Sequence, residues 1–343
     1  MPEDSTIQHV DIALSSVSDF KANAPSTPIT PLPPPVTSNS NNNNKTRLSA
    51  TVIIPIWIVL SSSVITYNNY VYNTLLFKYP VFLVTWHLVF ASIGTRILKR
   101  TTRLLDGAND TSHLITKDVW LKKIIPVGAL FTGSLILSNT AYLYLSVAFI
   151  QMLKAFTPVA ILLISFTFRI QDPSKRLFMI VFMISGGVSL ASYGELKFNM
   201  KGFIIQALAV LFEASRLVMI QLLLHGIKMD PLVSLHYYAP VCAGFNLLIL
   251  PFTDGLAPFY EVVALGPAIM LSNAGVAFLL NIAAVFLVGV GSGLILTLAG
   301  VFKDILLIIG SVLLFGTVVT PLQIFGYGIA LIGLVIFKTT GAK

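Results

Sequence analysis

The sequence predicts an all-α polytopic membrane protein with ten transmembrane helices. Of its 343 residues, 55% are hydrophobic and only 10% are charged. Apolar stretches long enough for a spanning helix of about 20 residues recur along most of the chain, and a soluble globule could not hide that much apolar surface. The alternating pattern of a membrane barrel is absent. Helices are therefore expected, because each satisfies its own backbone hydrogen bonds in lipid.

The expected spans form one domain, from about residue 51 to residue 340. We place them at residues 52–72, 80–98, 123–145, 147–169, 177–193, 202–224, 231–252, 262–286, 292–315 and 320–338. The residues before them have a different composition. Segment 1–50 is rich in Pro and Asn and cannot build a hydrophobic core, so we expect a disordered tail in the cytosol.

The positive charges predict the orientation of the spans. The termini and the loops after even-numbered spans carry 16 of the 22 Lys and Arg residues, whereas the loops after odd-numbered spans carry three. Basic loops stay in the cytosol, so both termini are expected there. The net charge of +8 then reflects topology and contact with membrane lipid. No basic patch interleaved with aromatic residues accompanies it, so no nucleic-acid partner is expected.

A weak internal repeat divides the spans into halves, at about residues 51–194 and 201–338. In each half, a Leu-rich fourth span is followed by a short loop and a Gly-containing fifth span. Five helices is an odd number, so the second half must run inverted relative to the first. Secondary transporters commonly bind substrate at the interface of such repeats. The alternative is that any two Leu-rich helices look alike.

Each half also carries one lysine inside an apolar span. Lys154 lies in the run 147–168 and Lys303 in the run 292–315. A charge at the bilayer centre costs roughly 2.5 to 3.5 kcal/mol on insertion scales, so such a lysine indicates a functional site. Helical spacing gives each lysine a stripe of polar or small neighbours, namely Gln151, Pro158 and Ser165, and Ser292, Gly300 and Gly310. The two lysines predict a chamber for an anion, although such stripes also suit closely packed helices.

Other charged residues in the spans are weaker candidates for the same chamber. Asp304 lies about 100° around the helix from Lys303, so the two side chains need not face the same way. Its carboxylate could neutralise a neighbouring cation or bond a sugar hydroxyl. Glu213 and Arg216 are three residues apart, which favours a local ion pair. Arg216 is kept as a candidate substrate ligand.

Three uncharged side chains complete the candidate set. Tyr237 and Tyr238 could stack on a base or a sugar, and Asn139 could bond a substrate. Most polar residues in membrane spans hydrogen-bond between helices instead, and that alternative stays open for all three. The one cysteine, Cys242, excludes an internal disulfide and a cysteine-rich metal site. We expect no metal and no cofactor.

Several segments together resemble a known family. The segments SNTAYLYLSVAFIQMLKAFTPV and LTLAGVFKD closely resemble the fourth and ninth helices of the triose-phosphate and nucleotide-sugar transporter family, within the drug/metabolite transporter superfamily. The likeness extends through YPVFLVTWHLVFA and EASRLVMIQLLL and covers about residues 50–340. It implies a secondary active antiporter of ten helices in two inverted repeats, which exchanges nucleotide sugars or sugar phosphates for nucleoside monophosphate or phosphate. The phosphate-contacting lysines it implies are Lys154 and Lys303.

Two departures from the plastid branch of that family bear on the substrate. The plastid sugar-phosphate exchangers resemble this chain but carry arginine after the ninth-helix lysine and histidine three residues before the fourth-helix lysine. Asp304 and Gln151 stand at those positions. The loss of a guanidinium removes a strong phosphate clamp, so a nucleotide sugar is expected first and a sugar phosphate second. The chain looks more similar to the secretory-pathway members, which implies the Golgi or the endoplasmic reticulum.

Other functional classes fit the sequence less well. His113 and Asp118 have the spacing of an acyltransferase motif, but they lie in a short loop without supporting flanks, so no enzyme is expected. A channel would need a symmetric pore, which nothing in the sequence suggests. The main alternative is a non-transporting scaffold or regulator with a transporter-like fold. A homodimer is left open.

The orientation can be tested with two glycosylation sequons, at Asn44 and Asn109. The charge distribution places both in the cytosol, so we expect neither to be glycosylated. The measurement is gel mobility of the protein from a secretory-competent cell, with and without glycosidase. A glycosidase-sensitive shift that disappears in Asn109→Gln would show that the orientation is inverted.

Overall fold

The computed structural model describes residues 50–102, 105, 116–168, 174–223, 231–290 and 293–340. Within these residues the regular structure is helical and contains no strand. The predicted tail and the sequons at Asn44 and Asn109 lie outside them, as does His113. The orientation and the disordered tail therefore stay predictions.

Each predicted span overlaps described helical structure, and the fourth span is divided into two segments. The helices are α1 Ala50–Asn73, α2 Pro80–Thr101, α3 Lys117–Ala141, α4 Val147–Thr167, α5 Lys175–Tyr193, α6 Met200–Leu223, α7 Pro231–Thr253, α8 Pro267–Val290, α9 Gly293–Phe315 and α10 Pro321–Thr340. In the described part of the chain, eight helices are long and apolar enough to cross a membrane, and Pro321–Phe337 is a shorter apolar helix. The chain is thus an all-helical, polytopic membrane protein.

The eighth span differs from its predicted position. The prediction started this span at residue 262, but α8 begins at Pro267, and a separate short helix, Ala257–Leu265, precedes it. Gly266 separates the two helices with a φ of +85°. Only glycine adopts such a backbone conformation readily. The apolar run continues through this turn, so hydrophobicity alone could not locate it.

The helices of the first half pack mainly against those of the second half. Helix α5 packs against α10, α2 against α7, α3 against α6, and α1 against α8. Helix α4 contacts α9 through its first segment and α6 through its second. Large apolar side chains such as Phe182, Leu248 and Leu313 remain on the outside of the bundle, as lipid-facing residues do in a membrane protein.

Polar contacts join the loops that follow odd-numbered helices. The Tyr79 hydroxyl donates to Glu261 at 2.6 Å, and the Phe82 backbone N–H donates to the Asp254 carboxylate at 2.9 Å. Burial raises the pKa of the Asp254 carboxyl, and the bond from Phe82 opposes that shift. At the α5–α6 loop, the Thr320 hydroxyl donates to the Gly194 carbonyl at 2.9 Å. These bonds hold the two halves together at one face of the bundle.

Small residues allow α5 and α10 to approach at backbone distance. A Cβ atom added to Gly187 would lie 2.6 Å from the Ala330 nitrogen and 2.6 Å from the Gly326 oxygen. A Cβ added to Gly326 would lie 2.5 Å from the Ala191 nitrogen. Close helix packing through small residues is a common way to associate helices in lipid. The two glycines are therefore required by this interface.

The adjacent glycines of α5 give a matched test of this packing. We expect Gly187→Ala to destabilise the folded protein by about 1 to 3 kcal/mol, the usual effect of overpacking. Gly186→Ala should be neutral or stabilise the helix by up to about 1 kcal/mol, because a Cβ there meets nothing within 4 Å. Thermal unfolding of the detergent-solubilised variants provides the measurement. Equal melting temperatures for the two variants would contradict the close approach of α5 and α10.

Candidate functional site

The backbone of α4 breaks next to Lys154. The helix consists of two segments, Val147–Lys154 and Thr157–Thr167, because Pro158 has no N–H to donate and its ring crowds the carbonyl four residues earlier. That carbonyl belongs to Lys154, and the Thr157 hydroxyl donates to it at 2.7 Å. The carboxyl-terminal end of the first segment carries partial negative charge, which favours a cation there. The sequence thus places Lys154 at a break in the middle of a predicted span.

Two carboxylates act on Lys154 from beyond ion-pair distance. Asp304 on α9 and Glu213 on α6 are the carboxylates whose charges act on its ammonium group. Within the described residues, neither these nor any other carboxylate lies within 4.0 Å of the Lys154 nitrogen. Lys154 is therefore a partly buried cation without a direct ion pair.

Lys303 does have a direct partner. Its ammonium nitrogen lies 3.2 Å from an Asp304 carboxylate oxygen and 5.8 Å from the centroid of the Trp57 ring on α1. The Lys303 and Asp304 side chains are 17% and 28% exposed. Their spacing along the helix left open that they face apart, but the two side chains bend toward each other. Asp304 therefore neutralises the cation next to it in sequence.

Glu213 and Arg216 form the local ion pair that their spacing predicts. The guanidinium donates to the Glu213 carboxylate through Nε at 3.1 Å and also through Nη2. Ser134 on α3 donates to the same carboxylate at 3.0 Å, and the Arg216 guanidinium lies 4.6 Å from the centroid of the Phe131 ring. Arg216 is thus engaged by two partners, the Glu213 carboxylate on α6 and the Phe131 ring on α3.

Gln151 is a buried amide on α4, three residues before Lys154. Its side chain is 1% exposed, and neither amide atom has a partner of hydrogen-bond geometry among the described residues. The Tyr142 side chain interacts with Gln151 and also experiences the charges of Lys303 and Asp304. Tyr142 therefore interacts with groups on both lysine-bearing helices, which no polar pattern in the sequence indicated.

The other candidates lie elsewhere in the bundle. Tyr238 is buried in the contact of α7 with α2 and α3, and its hydroxyl has no hydrogen-bond partner among the described residues. Tyr237 packs edge-on against the His236 ring, with centroids 5.4 Å apart. The Arg216 charge acts on the Tyr238 side chain.

Asn139 belongs to a network of side chains between helices. Its amide oxygen accepts from the Asn68 amide at 3.2 Å and from the Tyr72 hydroxyl at 3.2 Å. Asn273 on α8 donates to Asn68 at 3.0 Å and also contacts His87 on α2. The network joins α1, α2, α3 and α8. Asn139 therefore already accepts hydrogen bonds from two donors on another helix. This agrees with the alternative that such residues hydrogen-bond between helices.

Two side grooves flank the lysine-bearing helices. One, of about 770 Å³, lies between α4, α5 and α6 and reaches the α4 break through Leu153 and Phe156. The other, of about 700 Å³, lies between α1 and α9, and Ser62, Ser63 and Thr66 line one wall. Among the described residues, no three His, Cys, Asp or Glu side chains are grouped so as to hold a metal ion.

Taken together, the geometry suits an anion more than a catalytic step. Two ammonium groups project from α4 and α9, which pack against each other. Within the described part of the chain, one of them has no ion-pair partner and the other is held by a single carboxylate. An oxyanion is the kind of ligand that ammonium groups in a low-dielectric region attract most strongly.

Comparisons with known proteins identify the family. The sequence pattern of the Triose-phosphate Transporter family matches residues 48–338. A probable sugar phosphate/phosphate translocator of Arabidopsis thaliana is 40% identical over 292 residues, which cover 83% of this chain and 81% of the relative. A second protein of that description and organism is 40% identical over 297 residues, covering 83% and 82%.

A more distant relative is named for a nucleotide sugar. It is UDP-galactose transporter 1 of Arabidopsis thaliana, which is 27% identical over 282 residues, covering 81% of this chain and 82% of the relative. The family match covers all but the last two residues of the described helices, and the relatives align over most of their own length. The chain therefore belongs to the Triose-phosphate Transporter family.

Proposed function

We propose that this protein is a secondary active antiporter that exchanges a phosphorylated sugar compound for a nucleoside monophosphate or phosphate. The observation that carries the proposal is the pair of partly buried lysines, Lys154 and Lys303, on two helices that pack against each other. The free ammonium of Lys154 supplies an unpaired positive charge for a phosphate group. Lys303 adds a second cation whose carboxylate partner can be displaced.

The packing of the helices supports two inverted repeats with alternating access. If each helix of the first half is exchanged for the helix five positions later, the contacts α2–α7, α4–α9 and α5–α10 map onto themselves. The contact α1–α8 becomes α3–α6, which is also present. A pseudo-two-fold axis would produce this pattern. The substrate would then bind between the halves, which rock about it.

The charges at the site favour a large, spread-out anion. Asp304 offsets Lys303, so the two lysines and this carboxylate carry a net charge of about one positive unit. A compact phosphate dianion would meet the Asp304 carboxylate at close range, whereas a nucleotide sugar spreads its charge over a diphosphate and offers hydroxyl donors. A nucleotide sugar is thus our first candidate. Sugar phosphate is the second, because two relatives at 40% identity are named as probable translocators of that class.

The location we propose is the Golgi or endoplasmic reticulum membrane, with both termini in the cytosol. The basic residues of the even-to-odd loops favour that orientation. A non-transporting scaffold is the competing function. Uptake by purified protein in proteoliposomes, tested across nucleotide sugars and sugar phosphates, separates the two: no uptake of any compound by correctly folded protein would favour the scaffold.

We expect Lys154→Ala and Lys303→Ala each to abolish exchange. Removing one cation leaves the charge of the buried substrate phosphate without that partner. By analogy with broken buried ion pairs, substrate binding should weaken by roughly 3 to 5 kcal/mol. This corresponds to more than about a hundredfold in transport efficiency. Arginine should rescue poorly, because its planar fork differs from a compact ammonium group. Initial exchange rates per folded carrier provide the measurement.

Lys122→Ala is the matched control for both variants. This lysine is 75% exposed and pairs with Asp118 on the surface, so its removal should leave exchange near the wild-type rate. If either site variant kept more than about a third of wild-type exchange, that lysine would be structural and the two-lysine site would have to be abandoned.

We expect Asp304→Arg to shift the preference toward compact phosphates. The substitution removes the carboxylate next to Lys303 and adds a guanidinium, which clamps phosphate well. Inorganic phosphate or triose phosphate should then become better competitors, while nucleotide-sugar uptake falls. Competition assays normalised to folded carrier test this, and an unchanged order of competitors would exclude Asp304 from substrate selection.

A further inference from the structure

An empty anion site presents a physical problem for a carrier. To return without substrate, the protein must bring both lysines through a conformation in which water and phosphate are excluded. A buried cation with no partner is strongly disfavoured. A carrier with two uncompensated lysines would therefore return only when a second anion has bound, and exchange would be obligatory.

The structure supplies an anion of its own at this place. The Asp304 carboxylate lies 3.2 Å from the Lys303 nitrogen, and both side chains are mostly buried. Its charge also acts on Lys154, across the contact between α4 and α9. Asp304 thus influences both lysines.

The other carboxylate near Lys154 is already committed. Glu213 accepts from the Arg216 guanidinium through two nitrogens and from the Ser134 hydroxyl. Because Arg216 matches its charge within α6, Glu213 has little charge left to compensate Lys154. Among the described residues, Asp304 is paired with one ammonium group alone, and it can release that group when a phosphate arrives.

We propose that Asp304 stands in for the substrate phosphate in the empty carrier. Its carboxylate compensates the lysines when no substrate is bound, so the empty protein can change conformation and run net transport as well as exchange. Arriving phosphate displaces the carboxylate from Lys303. This role rests on the proposed transport function but makes a separate claim, which concerns the coupling between the two directions.

The test compares two modes in the same proteoliposomes. Vesicles are loaded either with UMP or with buffer alone, and initial uptake of radiolabelled UDP-galactose is measured. A parallel experiment measures uptake of radiolabelled glucose 6-phosphate into vesicles loaded either with phosphate or with buffer alone. Potassium on both sides with valinomycin removes any membrane potential generated by net anion uptake. The quantity compared between variants is the ratio of net uptake to exchange.

For the wild type we expect net uptake within about tenfold of exchange. Asp304→Asn should lower the ratio at least tenfold, because the empty site then keeps both positive charges unpaired. Asp304→Glu retains the carboxylate and should keep a ratio near that of the wild type. Asp118→Asn is the matched surface control, since Asp118 is 73% exposed, and it should not change the ratio.

Three results would overturn the role of Asp304. One is a wild-type protein that exchanges but shows no net uptake. Another is an Asp304→Asn ratio equal to that of the wild type. The third applies if Asp304→Asn does not fold: a ratio of net uptake to exchange that is tenfold lower in Asp304→Glu than in the wild type. This variant keeps the negative charge, so the proposal expects no such decrease. If neither UDP-galactose enters UMP-loaded vesicles nor glucose 6-phosphate enters phosphate-loaded vesicles, the proposed function itself would be overturned.

Discussion

The free-energy penalty for a charge in hydrocarbon organises this protein. Each ionised side chain placed in a membrane span must be compensated nearby, and the described helices show three solutions. Glu213 and Arg216 form a closed ion pair within one helix. Lys303 takes the carboxylate that follows it in sequence. Lys154 has only the carbonyl end of a broken helix and more distant carboxylates, so it is the charge that a ligand can best satisfy.

The packing around these charges separates rigid from adjustable contacts. Helices α5 and α10 meet at backbone distance through glycine, and such an interface tolerates little sliding. The lysine-bearing helices α4 and α9 also pack against each other, but α4 is divided at Pro158. The proposed rocking of two halves around a site would need both properties, a fixed contact on one side and an adjustable one at the substrate.

The polar network between α1, α2, α3 and α8 has a different character from the lysine site. Its asparagines donate to and accept from one another, as buried amides must. A substrate could bind Asn139 only by replacing bonds that are already made. In the part of the chain that the structure describes, Lys154 has no ion-pair partner and the Gln151 amide has no hydrogen-bond partner. Whether a polar group already has its hydrogen-bond or ion-pair partners therefore distinguishes structural residues from ligand candidates. Its position in an apolar span distinguishes them less well.

Much of the architecture was determined by the sequence itself. The helices follow from hydrophobic runs of sufficient length, and the Glu213–Arg216 pair follows from a spacing of three residues. The break at Lys154 follows from Pro158. All of these depend on groups within a few residues of one another, so local pattern is enough to predict them.

Other features were decided only by the tertiary structure. Sequence could not show which helices pack together, that Asp304 turns toward Lys303, or that Trp57 lies beside the same ammonium group. Nor could it show that Asn139 is engaged by Asn68. Such contacts join residues far apart in the chain, or select one side-chain rotamer among several. Both depend on the shape of the neighbouring helices, which hydropathy and spacing do not contain.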